Sequence, residues 1–146
     1  MAGMFTIDSH PALVLFDSGA SHSFMSMGFV ERHNLPLMAI PYAYKIRTVG
    51  SQMFINTRTD AVSLVLATHT YRLQFMIMPR QGIDSILGMN WLRVYGVVLD
   101  MQRRSVELWL PSSEDRMSLI VPSDPVLPVA VHAEASPDLA SIPIVC

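Results

Sequence analysis

The stretch "ALVLFDSGASHSF" (residues 12–24) joins an apolar run to a group of small and polar residues. Ala12–Phe16 is a continuous apolar run before turn residues, which is typical of a β-strand that is covered on both faces. Asp17, Ser18 and Gly19 follow at once, and Gly19 permits a turn or a close backbone approach that a Cβ would obstruct. The pattern therefore predicts a carboxylate held at the end of a rigid strand, which is either a turn signal or half of a catalytic site.

The composition limits the classes of function. The chain has 146 residues, of which 51% are hydrophobic and 15% charged, so it is long enough for one domain with a buried core. Its net charge of −2, without a Lys/Arg cluster, argues against a nucleic-acid surface. No uncharged apolar run reaches the roughly 18 residues of a membrane-spanning helix. The start "MAGMFTIDSHP" has no signal-peptide pattern and the single cysteine is Cys146, so we expect a cytoplasmic or nuclear protein.

Short strand patterns follow the first stretch and predict an all-β domain with one or two short helices. Apolar spacing predicts a helix over Ser23–His33, and the runs "YKIRTV" and "MFINTR" predict a hairpin with Gly50 at its tip. The period-2 alternation of Tyr71–Met78 is the clearest strand signal in the chain. The run "IDSILG" predicts a buried strand that ends at Gly88, followed by one or two helical turns that Gly96 closes. The runs "VVLD" and "SVELWL" predict a final hairpin.

The texture of the chain changes after Leu110, where prolines become frequent. We expect residues 1–110 to form one domain and residues 111–146 to form a proline-rich, mostly unstructured tail or linker. A last strand near "SLIV" (Ser118–Val121) is the alternative for part of this tail.

The Asp-Ser-Gly triplet is a weak motif when it stands alone, because it should occur by chance in roughly one chain in fifteen of this length. Its context raises its value. A buried strand precedes it, the small residue Ala20 follows it, and a second apolar strand ends in "ILG", whose Gly88 would let that strand pass tightly beside the Asp loop. The five histidines lack metal-ligand spacing, and neither a G-x-S-x-G elbow nor a phosphate-binding loop is present. We therefore expect no metal and no cofactor.

The segments "LFDSGASHSFMS" and "IDSILGMNWLRVYGVVLDMQRRSVEL" together resemble the retropepsin-like aspartic proteases encoded by gypsy-class LTR retrotransposons, over about residues 5–110. The resemblance implies a retropepsin-like closed β-barrel with a flap hairpin, and an aspartic endopeptidase that processes a polyprotein. It implies that Asp17 is catalytic and that Ser18 and Gly19 complete the catalytic loop, while the hairpin over Ile46–Ile55 closes over the substrate. The substrate-binding residues that it implies are Ala20, Ile46, Thr48, Val49, Gly50, Ser51, Ile86, Leu87 and Gly88.

Peptide hydrolysis without a metal or a covalent nucleophile needs one carboxylate to activate water and a second carboxyl group to donate a proton. Two carboxyl groups about 3 Å apart cannot both ionise, so they share one proton. Because the chain has one Asp-Ser-Gly loop, this chemistry predicts a symmetric homodimer that acts on a polypeptide substrate. Asp84 and Asp100 remain alternative sources of the second carboxyl group, although simpler roles in an ion pair or cap and in a hairpin turn are expected for them.

Two features depart from the family pattern. The hairpin tip "VGSQ" has a single glycine, and the prolines of the tail cannot donate to a shared sheet of the kind that the termini of retroviral relatives often form. We therefore expect a dimer that is assembled differently or that forms weakly. The alternative function is a catalytically inactive or host-adopted module that binds or scaffolds without cleaving.

Overall fold

The structure is a computed structural model that describes residues 1–48, 50–79, 82–121 and 133–135. The strands are β1 (Ala2–Ile7), β2 (His10–Phe16), β3 (Phe24–Ser26), β4 (Leu37–Thr48), β5 (Ser51–Thr59), β6 (Val62–Leu66), β7 (His69–Leu73), β8 (Met76–Met78), β9 (Ser85–Leu87), β10 (Val98–Asp100), β11 (Ser105–Trp109), β12 (Arg116–Ile120) and β13 (Ala133–Ala135). The helices of the described residues are α1 (Met27–His33) and α2 (Met89–Leu92).

The strands form two sheets. Ten of them make one curled sheet in the order β13-β4-β5-β8-β3-β9-β2-β1-β6-β7, and β10, β11 and β12 make a second sheet. The prediction of an all-β fold with one or two short helices is confirmed. The predicted barrel takes the form of a curled half-barrel, with β13 and β7 at its two ends within the described residues.

Strand β2 lies inside the large sheet, because it pairs with β1 on one side and with β9 on the other. Its residues alternate between two apolar clusters. Val14 and Phe16 enter the larger cluster, and Leu15 enters the smaller one. Both faces of the strand are therefore buried, which is why the sequence shows a continuous apolar run before Asp17 instead of alternation.

Helix α1 begins later than the predicted Ser23–His33, because Phe24–Ser26 forms strand β3 between β8 and β9. The Oγ atom of Ser26 accepts a hydrogen bond from the backbone N–H of Phe29 at 3.1 Å and so caps the helix. Asn34 ends the helix in a left-handed conformation (φ 52°). The apolar spacing of Ser23–His33 fits a helix over the whole segment. Phe24–Ser26 forms a strand instead because it pairs with β8 and β9.

Replacing Ser26 with Ala should lower the free energy of unfolding by about 1 kcal/mol, because the N–H of Phe29 loses its acceptor in a buried position. Urea denaturation followed by circular dichroism measures this change. Ser118→Ala, on an exposed position of β12, is the matched control and should change stability by less than about 0.5 kcal/mol. Equal effects of the two substitutions would contradict the capping role.

The predicted flap hairpin is present as β4 and β5. Thr48 faces Ser51 at the end of the ladder, and Gly50 lies at the tip with a φ of 80°, which favours glycine. Val49 lies outside the described residues. The register shifts between Ala39 and Tyr44, so the base of the hairpin is irregular.

The single strand predicted over Tyr71–Met78 is wrong, since the structure divides it into β7 and β8. Strand β7 pairs with β6, whereas β8 pairs with β3 and β5. The change of partner occurs at Phe75, whose backbone N–H donates to Oγ1 of Thr59 at 3.0 Å and whose carbonyl accepts from the N–H of Thr59 at 2.8 Å. The alternation of side chains continues across this break, so the pattern alone does not reveal it.

Beyond Leu110, the strand that was an alternative near Ser118–Val121 exists as β12, which pairs with β11. Leu119 and Val121 are buried in the larger cluster. Strand β13 pairs with β4. The remainder of the expected tail, residues 122–132 and 136–146, lies outside the described residues, and a domain boundary after Leu110 stays a prediction. Among the helices of the described residues, none is long and apolar enough to cross a membrane.

Candidate active site

The Asp loop follows strand β2 and is fixed by backbone hydrogen bonds. The N–H of Asp17 donates to the carbonyl of Leu87 on β9 at 3.0 Å, so the residue continues the parallel pairing of the two strands. The N–H of Gly19 donates to Oδ1 of Asp17 at 2.8 Å, and the N–H of Ala20 donates to the carbonyl of Asp17 at 3.1 Å. The loop therefore folds back on its own carboxylate and holds it in one orientation.

The second carboxylate oxygen of Asp17, Oδ2, is in a different position. It is buried, and it has no hydrogen-bond partner in the part of the chain that the structure describes. A buried acceptor without a partner costs free energy, and such atoms in native proteins call for an explanation. A water molecule or a protonated carboxyl group from outside the chain would supply the missing donor. Within the described residues, Asp17 thus has one oxygen that is bound by its loop and one buried oxygen that lacks a donor.

Gly88 brings the "ILG" segment against the Asp loop. A Cβ atom at Gly88 would lie 2.1 Å from the carbonyl oxygen of His22 and 2.8 Å from that of Ala20. The N–H of Met89 donates to the carbonyl of Ala20 at 2.7 Å, and the N–H of Gly88 donates to Oγ of Ser23 at 3.1 Å. The sequence prediction that Gly88 permits a tight passage beside the loop is confirmed.

The other residues of the predicted site fall into two groups. Ser18 is exposed and Gly50 is exposed at the hairpin tip, while Gly19 is half-buried. Four other predicted site residues have side chains that are buried in the two apolar clusters, namely Ala20, Ile46, Ile86 and Leu87. Ile46 belongs to the same cluster as Ala20 and Ile86, so the hairpin shares a core with the Asp loop. The roles of Asp17, Ser18 and Gly19 in catalysis, and of the other residues in substrate binding, stay predictions.

The alternative carboxylates are engaged elsewhere. Oδ2 of Asp84 accepts from the N–H of Leu13 at 2.7 Å, and Oδ1 forms an ion pair with Nη2 of Arg32 at 2.9 Å. Oδ1 of Asp100 accepts from the N–H of Arg103 at 3.0 Å in the turn between β10 and β11. Both residues have the structural roles that the sequence favoured. In the described residues, no group of three or more His, Cys, Asp or Glu side chains is placed to hold a metal ion.

His22 is a polar residue of this region to which the sequence assigned no role. It is 8% exposed, and its Nδ1 lies 2.9 Å from Oγ of Ser21. Its Nε2 is buried without a partner in the described residues. His22 lines a cavity of about 620 Å³ that is also lined by Ser18 and Gly19 of the Asp loop. Its burial depends on segments that are distant in sequence, such as Tyr44, whose ring centroid lies 5.7 Å away.

Burial of the His22 side chain makes the stability of the fold depend on pH. Desolvation lowers the pKa of His22 below 6.5, and desolvation together with the charges of His10 and Arg32 also lowers the pKa of His33. The unfolded chain therefore binds more protons than the folded chain, so the free energy of unfolding should fall as the pH drops from 6.5 towards the lowered values. Urea denaturation between pH 7.5 and about 5 measures this slope, and His22→Gln should reduce it. A slope that is unchanged in His22→Gln would assign the pH dependence to other groups.

The chain is similar in sequence to curated proteins. The chain is 28% identical over 103 residues to Protein DDI1 homolog 1 of Caenorhabditis elegans (70% of this chain, 26% of the relative). It is 28% identical over 98 residues to Protein DDI1 homolog 1 of Homo sapiens (66% and 24%). The chain thus spans about a quarter of the length of these curated relatives.

A solved structure and a family profile also match this chain. The crystal structure of the retroviral protease-like domain of Ddi1 from Leishmania major superposes with a TM-score of 0.60 at 18% identity, and covers 85% of this chain and 94% of that domain. At this identity the likeness shows a shared fold. The sequence profile described as "Retroviral aspartyl protease" matches residues 1–114. Because that match covers most of the chain, the protein belongs to the retroviral aspartyl protease family.

Proposed function

We propose that the chain is an aspartic endopeptidase that hydrolyses peptide bonds as a homodimer, with one Asp17 from each subunit beside a shared water molecule. The observation that carries this proposal is the Oδ2 atom of Asp17, which is buried and unpartnered in the described residues at the end of a rigid strand. Membership of the retroviral aspartyl protease family supports it.

In the proposed mechanism, the ionised Asp17 of one subunit removes a proton from the water as it attacks the peptide carbonyl. The protonated Asp17 of the other subunit donates its proton to the carbonyl oxygen, which gives a tetrahedral diol. The first Asp17 then passes the proton it took to the amide nitrogen and the second takes a proton back from the diol as the C–N bond breaks, so the pair again shares one proton. The loop hydrogen bond from Gly19 N–H to Oδ1 holds each carboxylate in place. Ser18 is exposed next to it and is proposed to hydrogen-bond to the facing loop.

The second carboxyl group is assigned to a second copy of the chain because the alternatives within one chain are occupied. Asp84 binds Arg32 and the backbone of Leu13, and Asp100 closes a turn. A two-fold axis beside Asp17 would bring the two unpartnered Oδ2 atoms together, where the one shared proton and the hydrogens of the shared water would supply the missing donors.

The substrate class is a polypeptide. Processing of a retrotransposon polyprotein of the gypsy class is the finer proposal, and it rests on the paired "DSGA" and "ILGMNW" segments. The curated relatives, by contrast, are DDI1 homologs.

A non-cleaving binding module is the second candidate. It is favoured by the burial of Ala20, Ile46 and Ile86, which takes the side chains of three proposed substrate contacts into the core of one chain.

The test combines oligomeric state with peptide cleavage. Sedimentation at micromolar concentration should show a dimer, and a mixed peptide library should be cleaved at apolar sites between about pH 4 and 7, with inhibition by a pepstatin-like compound. A protein that is demonstrably dimeric and cleaves nothing in this range would refute the endopeptidase. A chain that stays monomeric and inactive would favour the binding module.

A further inference from the structure

The edge of strand β4 that faces away from β5 is occupied by a segment of the tail. Strand β13 (Ala133–Ala135) pairs antiparallel with β4, and its three residues lie opposite Thr48, Arg47 and Ile46. These positions are next to the tip of the flap hairpin, since Thr48 also faces Ser51 across the β4–β5 ladder. The tail segment therefore lies along the part of the hairpin that is proposed to close over the substrate.

This pairing uses the edge of the hairpin that β5 leaves open. Strand β4 lies between β13 and β5 in the large sheet, so both of its edges are paired near the tip. A strand edge without a neighbour presents a row of backbone N–H and C=O groups, and an extended polypeptide can add to it through its main chain. The edge is thus a surface for a polypeptide strand, and residues 133–135 occupy it.

The occupied edge belongs to a hairpin that shares a core with the Asp loop. Ile46 is fully buried in the same apolar cluster as Ala20, which directly follows the Asp-Ser-Gly triplet, and as Ile86 of β9. A polypeptide strand on β4 therefore pairs with hairpin residues that the fold connects to the candidate catalytic loop.

The register also places opposite charges at facing positions. Glu134 lies opposite Arg47, and opposite charges at directly facing positions of an antiparallel ladder favour the pairing. The residues on both sides of Glu134 are alanines. Backbone pairing and this one pair of charges are therefore the features by which the edge recognises the segment.

We propose that residues 133–135 act as an internal competitor for polypeptides at the flap hairpin. A polypeptide that pairs with β4 at residues 46–48 must first displace β13, so its apparent affinity is reduced by the fraction of chains in which the edge is free. The inference rests on the proposed function, because it treats a substrate as such a polypeptide. The tail then regulates the peptidase by excluding substrates that bind more weakly than β13 does.

Peptide binding tests the competition without cleavage. Ala133→Pro, Glu134→Pro and Ala135→Pro are combined in the full chain, which removes the backbone N–H donors of β13. The probe is a capped synthetic peptide of residues 129–136, VAVHAEAS, titrated into ¹⁵N-labelled protein. It should bind the triple variant at least about tenfold more tightly than the unaltered chain and shift the amide signals of residues 46–48. Equal affinity for the two chains would overturn the proposal.

A reversal of charge tests the register with a smaller change. Glu134→Lys places two positive charges at facing positions and should tighten binding of the peptide about threefold. Asp138→Lys is the matched control, because it makes the same change of charge in the same tail but outside β13, and it should leave the affinity unchanged. Equal effects of the two substitutions would show that the tail acts through its net charge, which would overturn the proposal.

Peptidase kinetics give a second readout. The triple variant should show a KM at least about tenfold lower than that of the unaltered chain, with kcat within about twofold, because saturating substrate displaces β13. Normal cleavage with an unchanged KM would refute the competition and leave the proposed peptidase intact. Cleavage within residues 129–136 would make the segment a substrate and would also refute its role as a competitor. A chain that cleaves nothing would refute the peptidase, whereas the peptide titration still decides the competition.

Discussion

Asp17→Asn should reduce kcat/KM for peptide cleavage by at least about 1000-fold, because an amide can neither remove a proton from water nor donate one to the substrate. The substitution is nearly isosteric. The side-chain oxygen of Asn can still accept the hydrogen bond from the N–H of Gly19, so the loop should keep its shape. A fluorogenic peptide assay at matched pH measures the loss, and circular dichroism establishes that the variant is folded.

Two further aspartates serve as controls. Asp100→Asn, in an exposed turn, should leave kcat/KM within about twofold. Asp84→Asn should weaken the pair with Arg32 and lower stability modestly, while cleavage by the folded fraction persists. Loss of cleavage in either control would place the second carboxyl group within one chain. Identical cleavage by the unaltered chain and Asp17→Asn would remove Asp17 from the mechanism.

A mixing experiment tests whether two copies share the site. Folded Asp17→Asn chain, added in excess to the unaltered chain, should lower the activity per unaltered chain because mixed dimers carry one competent carboxylate. Activity that depends only on the amount of unaltered chain would indicate that each chain works alone.

The parts of the fold that could be predicted from the sequence have local causes. The apolar run before Asp17 predicts a strand that is buried on both faces, and the tip of the hairpin is set by Gly50, whose positive φ few other residues adopt readily. Gly88 could be placed beside the Asp loop because a strand that ends in glycine predicts close backbone approach. The orientation of the Asp17 carboxylate also has a local cause, which is the hydrogen bond that it accepts from the N–H of Gly19.

The parts that could not be predicted depend on distant segments. Strand β3 replaces the start of the expected helix because it pairs with both β8 and β9. The local sequence pattern does not reveal either pairing. The break between β7 and β8 arises because Thr59 bonds to both backbone groups of Phe75. The burial of His22 results from packing between elements far apart in sequence, so the cavity beside the Asp loop had no signal in the sequence.

Gly88→Ala should lower the free energy of unfolding by about 3 kcal/mol or more, because the added methyl group would overlap backbone atoms that cannot move aside. The carbonyl carbon and oxygen of His22 would lie 2.6 and 2.1 Å from the new Cβ. The flanking carbonyls of Ala20 and Ser21 accept hydrogen bonds from Met89 and Asn90, so a shift of this loop would break them. The φ of Gly88 is −99°, which any residue can adopt, so the cost is steric and not conformational.

Gly3→Ala separates this cause from the general cost of adding a methyl group. A Cβ at Gly3 would lie 3.1 Å from Cε2 of Phe5 and 3.3 Å from Cγ1 of Val121. Both atoms are at the ends of side chains, which can shift by a few tenths of an ångström. Its loss should stay below about 1 kcal/mol, because overlap with a movable side chain is relieved more cheaply than overlap with backbone. Urea denaturation of both variants gives the comparison. Equal losses in the free energy of unfolding would show that the Asp loop can shift to make room for a methyl group at Gly88.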